Sequence, residues 1–411
     1  MKTTSHRATR RYVYAVIGIA GICTLISGIT NTTVNPLRAT PVPWESQALE
    51  PYRGDTKQLR TVKAGILRES DWKVAMVGSS RVANALDPLL PQWGRKDVVN
   101  LGVNAGFLQE STAIARYFLA HEPAEILLIG VDPGDMTSRV DTRPMFDFET
   151  SPFAHDFNMD DELRYIFGVS TFDSSRKTLV AASKKIPAEF DGSGMRRKPK
   201  IHKGSQVKFI GTAIVAKIEL ETADAGGPER AFNEDKVTKL RELLEDARRR
   251  NCRTIVFFQS NHALMHAEAK HIGTSVVPFE KERRALVSMV ADVNSQTSGG
   301  PGVELWDFCN YHLLNCEPIP LDDPEKGRLK DWNDLGHFSP EMGTQMLAMM
   351  LGWTQPRPEW SEIGVKLDAA NLEDYLATVR TGYQRYMTQD GARDVAWKED
   401  LKAKAAAKAA R

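Results

Sequence analysis

The sequence predicts an α/β protein, a three-layer α/β/α sandwich around a mainly parallel sheet, preceded by one N-terminal transmembrane helix. Three observations carry this expectation. Short apolar runs without polar alternation recur at residues 73–77, 125–131 and 254–258, as strands buried on both faces do. Segments of helical periodicity stand between and after them, the pattern of strands joined by crossover helices. Finally, Lys2, Arg7, Arg10 and Arg11 precede an uncharged, mainly apolar stretch over residues 12–29. At 1.5 Å per residue, roughly 18–20 residues cross a bilayer core.

Taken in order, residues 1–11 form a basic tail and 12–30 an anchor. The positive-inside rule places the tail in the cytoplasm and the bulk of the chain outside it. The apolar run is long for a cleaved leader, and Asn31-Thr32-Thr33-Val34-Asn35-Pro36 follows it without a small-x-small cleavage site. An uncleaved single-pass anchor is therefore expected, with the globular part periplasmic or otherwise extracytoplasmic. Residues 31–70, with Pro36, Pro41, Pro43 and Pro51, read as a tether with a short helix near 56–68. An α/β domain should span 71–355, with helices near 109–120, 233–250, 280–293 and 340–351 and a short strand at 303–306. The stretch from about 135 to 227 interrupts the alternation. It reads as an insertion that caps the sheet or shapes a groove, or as an excursion bounded by Gly192, Gly194, Gly226 and Gly227. Within it, Met195-Arg196-Arg197-Lys198-Pro199-Lys200 reads more readily as a solvated basic face than as a polyanion site. Residues 356–411 read as a helical extension near 369–386 and a tail with good helix propensity but no apolar face.

Composition narrows the function classes. The 411 residues are 26% charged yet carry a net charge of only +1, so no bulk charge points to nucleic acid. Cys23 lies in the apolar stretch. Cys309 and Cys316 are spaced for a bridge in an oxidising compartment, or they pack with Cys252 as buried thiols.

Two segments about 250 residues apart carry the chemistry. Val77-Gly78-Ser79-Ser80-Arg81 follows an apolar run, and Asp331-Trp332-Asn333-Asp334-Leu335-Gly336-His337-Phe338-Ser339-Pro340 precedes a helix. A serine on a tight turn at the carboxyl edge of a parallel sheet lies where open α/β folds place ligands. The adjacent backbone N–H can serve an oxyanion. If His337 takes the serine proton, Asp334 can accept from its other ring nitrogen and fix the tautomer. Ser339 should cap the following helix, with Pro340 at its first position.

These segments resemble the SGNH, or GDSL-type, hydrolase superfamily. Val77-Gly78-Ser79-Ser80 is similar to its nucleophile block, with Ser80 at the nucleophile position and Ser79 where many members have Asp. Asn100-Leu101-Gly102-Val103-Asn104-Ala105-Gly106 is similar to the block that supplies an oxyanion-hole glycine, which would be Gly102 or Gly106. Asp334-x-x-His337 matches the last block. Gly130-Val131-Asp132-Pro133 departs from the usual Gly-x-Asn-Asp, and an ionised Asp132 would repel the oxyanion that Asn stabilises. Within the superfamily the layout looks closer to membrane-anchored periplasmic proteins of the alginate O-acetyltransferase group, over roughly residues 70–135 and 250–352. That resemblance implies acetyl transfer to or from a polysaccharide, a membrane protein that delivers the acyl group, and no cofactor or metal. Arg81 would steer an anionic glycan or cap structure. His262 should line the site, because its strand ends at the same edge as Ser80. In the stretch that also holds His271, His262 and His266 at i and i+4 could share a helical face for a metal, but no further ligand is evident. The rival expectation is a non-catalytic scaffold or glycan-binding component of an envelope assembly, which Asp132 favours.

Overall fold

The computed structural model of the chain describes residues 3–137, 146–197, 204–223, 231–268 and 279–409. His271 and residues 198–200 of the basic cluster lie outside the described residues. The chain divides into two compact units, one of Met1–Asp71 with Pro144–Arg197 and one of Trp72–Arg143 with Lys198–Arg411.

In the first unit a helix spans Thr3–Val34, of which Ala8–Val34 is long and apolar enough to cross a membrane. Its side chains are exposed through Leu25 and Ile26, but Asn31 and Val34 are buried. The Asn31 amide donates to the carbonyls of Ile166 (3.0 Å) and Gly168 (3.3 Å), and its oxygen accepts from Ser175 Oγ (2.9 Å). The apolar helix thus ends inside a folded core. Residues 31–70, expected to be a tether, instead pack tightly. Buried Arg38 pairs with Glu50 and Glu69, both at 2.8 Å. Buried Arg53 donates to the carbonyls of Val34 and Ser46, each at 2.9 Å, and pairs with Glu45 at 3.1 Å. All nine residues of the Leu59–Leu67 helix are buried. A Cβ at Gly65 would lie 2.5 Å from the Leu37 carbonyl, so only glycine lets the two backbones approach. Helices Met159–Phe167 and Val169–Ser183 complete this unit. The stretch 135–227 is therefore no single insertion: its Gln206–Ala223 helix belongs to the second unit.

The second unit is built on strands β1 (Val74–Val77), β2 (Val98–Asn100), β3 (Ile126–Val131), β4 (Arg253–Phe258), β5 (Glu304–Asp307), β6 (Trp332–Asp334), β7 (His337–Phe338) and β8 (Val365–Leu367). Six form one sheet in the order β2-β1-β3-β4-β5-β8, parallel except for β8. β6 and β7 make a separate antiparallel pair. The central strands are buried over nearly their whole length, which is why their sequences do not alternate. Helices Leu108–His121, Glu234–Arg249 and Glu280–Gln296 lead into β3, β4 and β5. Right-handed crossovers put them on one face. The β1-to-β2 connection steps the other way and therefore lies on the opposite face. There its Ser80–Ala85 helix meets Pro340–Leu351, so closely that a Cβ at Gly343 would lie 2.1 Å from the Ala85 carbonyl.

On β5 the buried Asp307 pairs with the buried guanidinium of Arg283 and accepts from Cys309 N at 2.7 Å. Cys252, Cys309 and Cys316 are buried free thiols, each pushed up to about 12 by burial. The C-terminal tail forms a helix, Ala392–Ala409. Contrary to expectation it buries a face, with Asp394, Val395 and Lys398 nearly inaccessible.

Candidate active site

The strand order reverses between β1 and β3, which places the carboxyl ends of those strands at a topological switch point. Ser80 follows β1 directly. Gly78 makes the turn possible: a Cβ there would lie 2.6 Å from Val82 Cγ2. Ser79 caps the short helix through its side chain, and Ser80 occupies the first helical position, whose N–H has no intrahelical acceptor.

The β6–β7 pair delivers the other two residues. Ser80 Oγ lies 2.8 Å from His337 Nε2, and His337 Nδ1 lies 2.9 and 2.8 Å from the two Asp334 oxygens. The carboxylate faces Nδ1, so Nδ1 carries the proton and Nε2 accepts from the Ser80 hydroxyl. Asp334 Oδ1 also accepts from the N–H groups of Gly336 (2.8 Å) and His337 (3.0 Å), which close the turn between β6 and β7. Burial pushes the Asp334 carboxyl up, but the His337 bond and charge, the Gly336 N–H and the Arg81 charge outweigh it. Its pKa ends below the ordinary value. Ser339 caps the next helix, accepting from Met342 N at 3.2 Å.

Arg81 joins the two halves. Its Nη1 lies 2.6 Å from Asp132 Oδ1 after β3, and its Nε donates to the Gly336 carbonyl at 2.6 Å. Asp132 Oδ1 accepts in addition from Ser79 Oγ (3.2 Å) and from the Gln259 amide. Gln259, fully buried just after β4, also donates to Ser79 Oγ at 3.3 Å. Nothing in the amide's sequence context marks it except its place after an apolar run ending at the same sheet edge.

The other expected site residues lie elsewhere or are engaged. Gly102 N donates to Asn100 Oδ1 (2.9 Å), and Gly106 N donates to the Val103 carbonyl (3.2 Å). His262 does not line the site. It is buried and donates to the Glu317 carbonyl from Nε2 (2.6 Å). Its Nδ1 accepts from Leu264 N (3.2 Å), and burial holds its pKa down to about 4. Both ring nitrogens are occupied, so His262 is a structural cap. His266 meets Asn261 Nδ2 at 2.8 Å.

A cavity of about 310 Å³ opens beside Ser80 and His337. Arg81, Asp334, Leu335 and Gly336 form part of its wall. The Gln206–Ala223 helix and the segment around Leu264 supply an apolar side, and Glu268, Lys398 and Lys402 also line it. Lys398 Nζ and Lys402 Nζ both pair with the Glu268 carboxylate, the former at 2.9 Å. These residues carry no motif; the apolar run within 206–216 and the alternating lysines of the tail are their only traces in sequence. Chemically, the constellation holds an alkoxide precursor, a base in the right tautomer and an ionised orienting group at the mouth of an apolar cavity. No protein-family model, curated protein or solved structure matches the chain.

Proposed function

We propose that the second unit catalyses serine-dependent acyl transfer to or from a cell-envelope or exported polysaccharide. The observation that carries this reading is the unbroken hydrogen-bonded line Ser80–His337–Asp334. Ser80 Oγ attacks the acyl carbon of an ester while His337 Nε2 takes the hydroxyl proton. The carbon–oxygen bond to the donor alcohol breaks, and that alcohol leaves with the proton from His337. An acceptor hydroxyl, from a sugar or from water, then passes its proton to His337 and attacks the acyl-serine. Ser80 departs and recovers the proton. The Ser80 N–H serves as one oxyanion donor. Gly106 N–H serves as the second after exchanging its 3.2 Å bond to Val103 for the substrate.

The fold reading that goes with this is an SGNH-type three-layer sandwich, similar to membrane-anchored polysaccharide O-acetyltransferases, with a membrane protein as acyl donor. The N-terminal helix acts as a single-pass anchor in the cytoplasmic membrane, with both units outside the cytoplasm. The burial of Asn31 and Val34 in the first unit supports an uncleaved anchor over a removable leader. A second reading, a non-catalytic glycan-binding scaffold, draws on Asp132, whose Oδ1 accepts from three side chains and so donates nothing to an oxyanion.

The test is labelling of the full chain in phospholipid nanodiscs with a serine-directed alkyl phosphonate, alongside hydrolysis of 4-nitrophenyl esters. Labelling that Ser80→Ala abolishes is expected. A native protein that neither labels nor turns over any ester, with or without a glycan acceptor, would rule the enzyme out in favour of the scaffold.

A further inference from the structure

We infer that the cavity beside Ser80 is an acyl-chain site, and that the group transferred is a medium-length aliphatic acyl chain rather than acetyl. The inference rests on the acyl-enzyme chemistry proposed above and adds its substrate class. Phe209, Ile210, Ala213 and Ile214 recur at helical spacing, so they share one face of the Gln206–Ala223 helix. That face and Leu264 and Met265 supply the apolar wall, and Ser80 and His337 stand at one side of the same space.

Size and lining both discriminate. At the share of volume a water occupies in the liquid, roughly 30 Å³, an acetyl methyl would leave most of the 310 Å³ empty. A chain of roughly eight to ten carbons would fill it at about one methylene per such share. Apolar surface left facing a solvated void gains nothing, whereas a chain laid along it loses its own hydration. A sugar ring needs several convergent hydrogen-bonding groups. The aliphatic wall offers none, and the polar side chains that line the cavity are already engaged. Lys398 donates to the carbonyls of Leu264 (3.1 Å) and Ala267 (2.7 Å) and to Glu268. Arg81 is committed to Asp132 and Gly336. The chain therefore enters past Ser80 acyl end first, and the alcohol, donor or acceptor, remains outside the cavity.

The experiment keeps the alcohol constant and varies the acyl chain. Full-length protein in nanodiscs, free of detergent that would compete for the cavity, is given 4-nitrophenyl esters from acetate to dodecanoate, with phosphonate labelling of Ser80 in parallel. The expected profile is a kcat/KM that climbs at least tenfold from two carbons to six or eight, as burial of successive methylenes requires. It should then fall when the chain outgrows the space. Ala213→Trp, on the cavity wall, should move the optimum to shorter chains while phosphonate labelling persists. A labelled enzyme whose rate is highest with acetate, and whose profile Ala213→Trp leaves in place, overturns the inference and leaves the Ser80 chemistry standing. A native protein that fails to label at all removes both.

Discussion

Arg81 and Asp132 are joined by an ion pair of 2.6 Å immediately behind Ser80. Arg81 also holds the carbonyl of Gly336, the residue before His337. One side chain therefore ties the turn after β1, the end of β3 and the β6–β7 pair into a single frame. A guanidinium can do this because its fork donates in two directions at once; an ammonium cannot reproduce the geometry.

Arg81→Lys should consequently lower kcat/KM by about 10–100-fold, since an ångström of misplacement between base and nucleophile costs on that order. Asp132→Asn should lower activity as well, because the amide keeps an oxygen that Ser79 and Gln259 can donate to but loses the charge that holds Arg81. Ester kinetics check both. An Asp132→Asn enzyme faster than the native one would mean that the amide serves the oxyanion and that the Arg81 frame is dispensable.

Asp334→Asn should cut kcat by about 10⁴-fold by favouring the wrong His337 tautomer. In the native protein the Asp334 pKa lies below its ordinary value. The carboxylate therefore keeps its charge to a lower pH than an ordinary aspartate would. Activity on the acid side should not show a fall attributable to an ordinary aspartate, which a pH–rate profile of kcat/KM reads directly.

Glu268 ties the segment after β4 to the C-terminal helix through Lys398 and Lys402. Burial opposes its ionisation, but the two lysines outweigh it and hold its pKa at about 2, below the ordinary 4.5. A depressed carboxylate stabilises the fold fully above its unfolded value and loses that contribution as pH falls from about 4.5 toward 2. Glu268→Gln should cost on the order of 2–3 kcal/mol at neutral pH. Thermal denaturation of native and variant should converge toward pH 2; a gap that persists there would assign the effect to packing.

Asn31→Leu should destabilise the first unit by about 1–3 kcal/mol, because the change leaves the part-buried Ile166 and Gly168 carbonyls without their donor. Limited proteolysis between residues 35 and 70 should accelerate accordingly. Unchanged protection would show that these bonds contribute nothing net.

Residue by residue, legibility followed the range of the interaction. β1, β3 and β4 announce themselves because strands buried on both faces are written as apolar runs, whereas β7 has two residues and β8 three, too few for any period. Asp334 and His337 are three apart, so their contact is local and visible in the spacing. Ser80 is 257 residues from His337, and only the strand order brings them together. The packing of 31–70 was hidden because buried bases such as Arg38 and Arg53 read as solvated charges until their carboxylates are placed. Gln259 and the Glu268–Lys398 pair were invisible for the same reason, their partners lying on distant segments of chain. His262 misled because the end of a strand was legible and the carbonyl of Glu317 was not.

The helix that begins at Thr3 runs without interruption to Val34, where its last turns are already core. As the anchor proposed above, it would work as a rigid mast rather than a leash. Any bilayer holding its apolar length fixes the height and heading of the first unit, and a change in bilayer thickness that tilts the mast must swing that unit with it. Lipid composition would then act as an adjustment of posture, with no slack in the chain to absorb it.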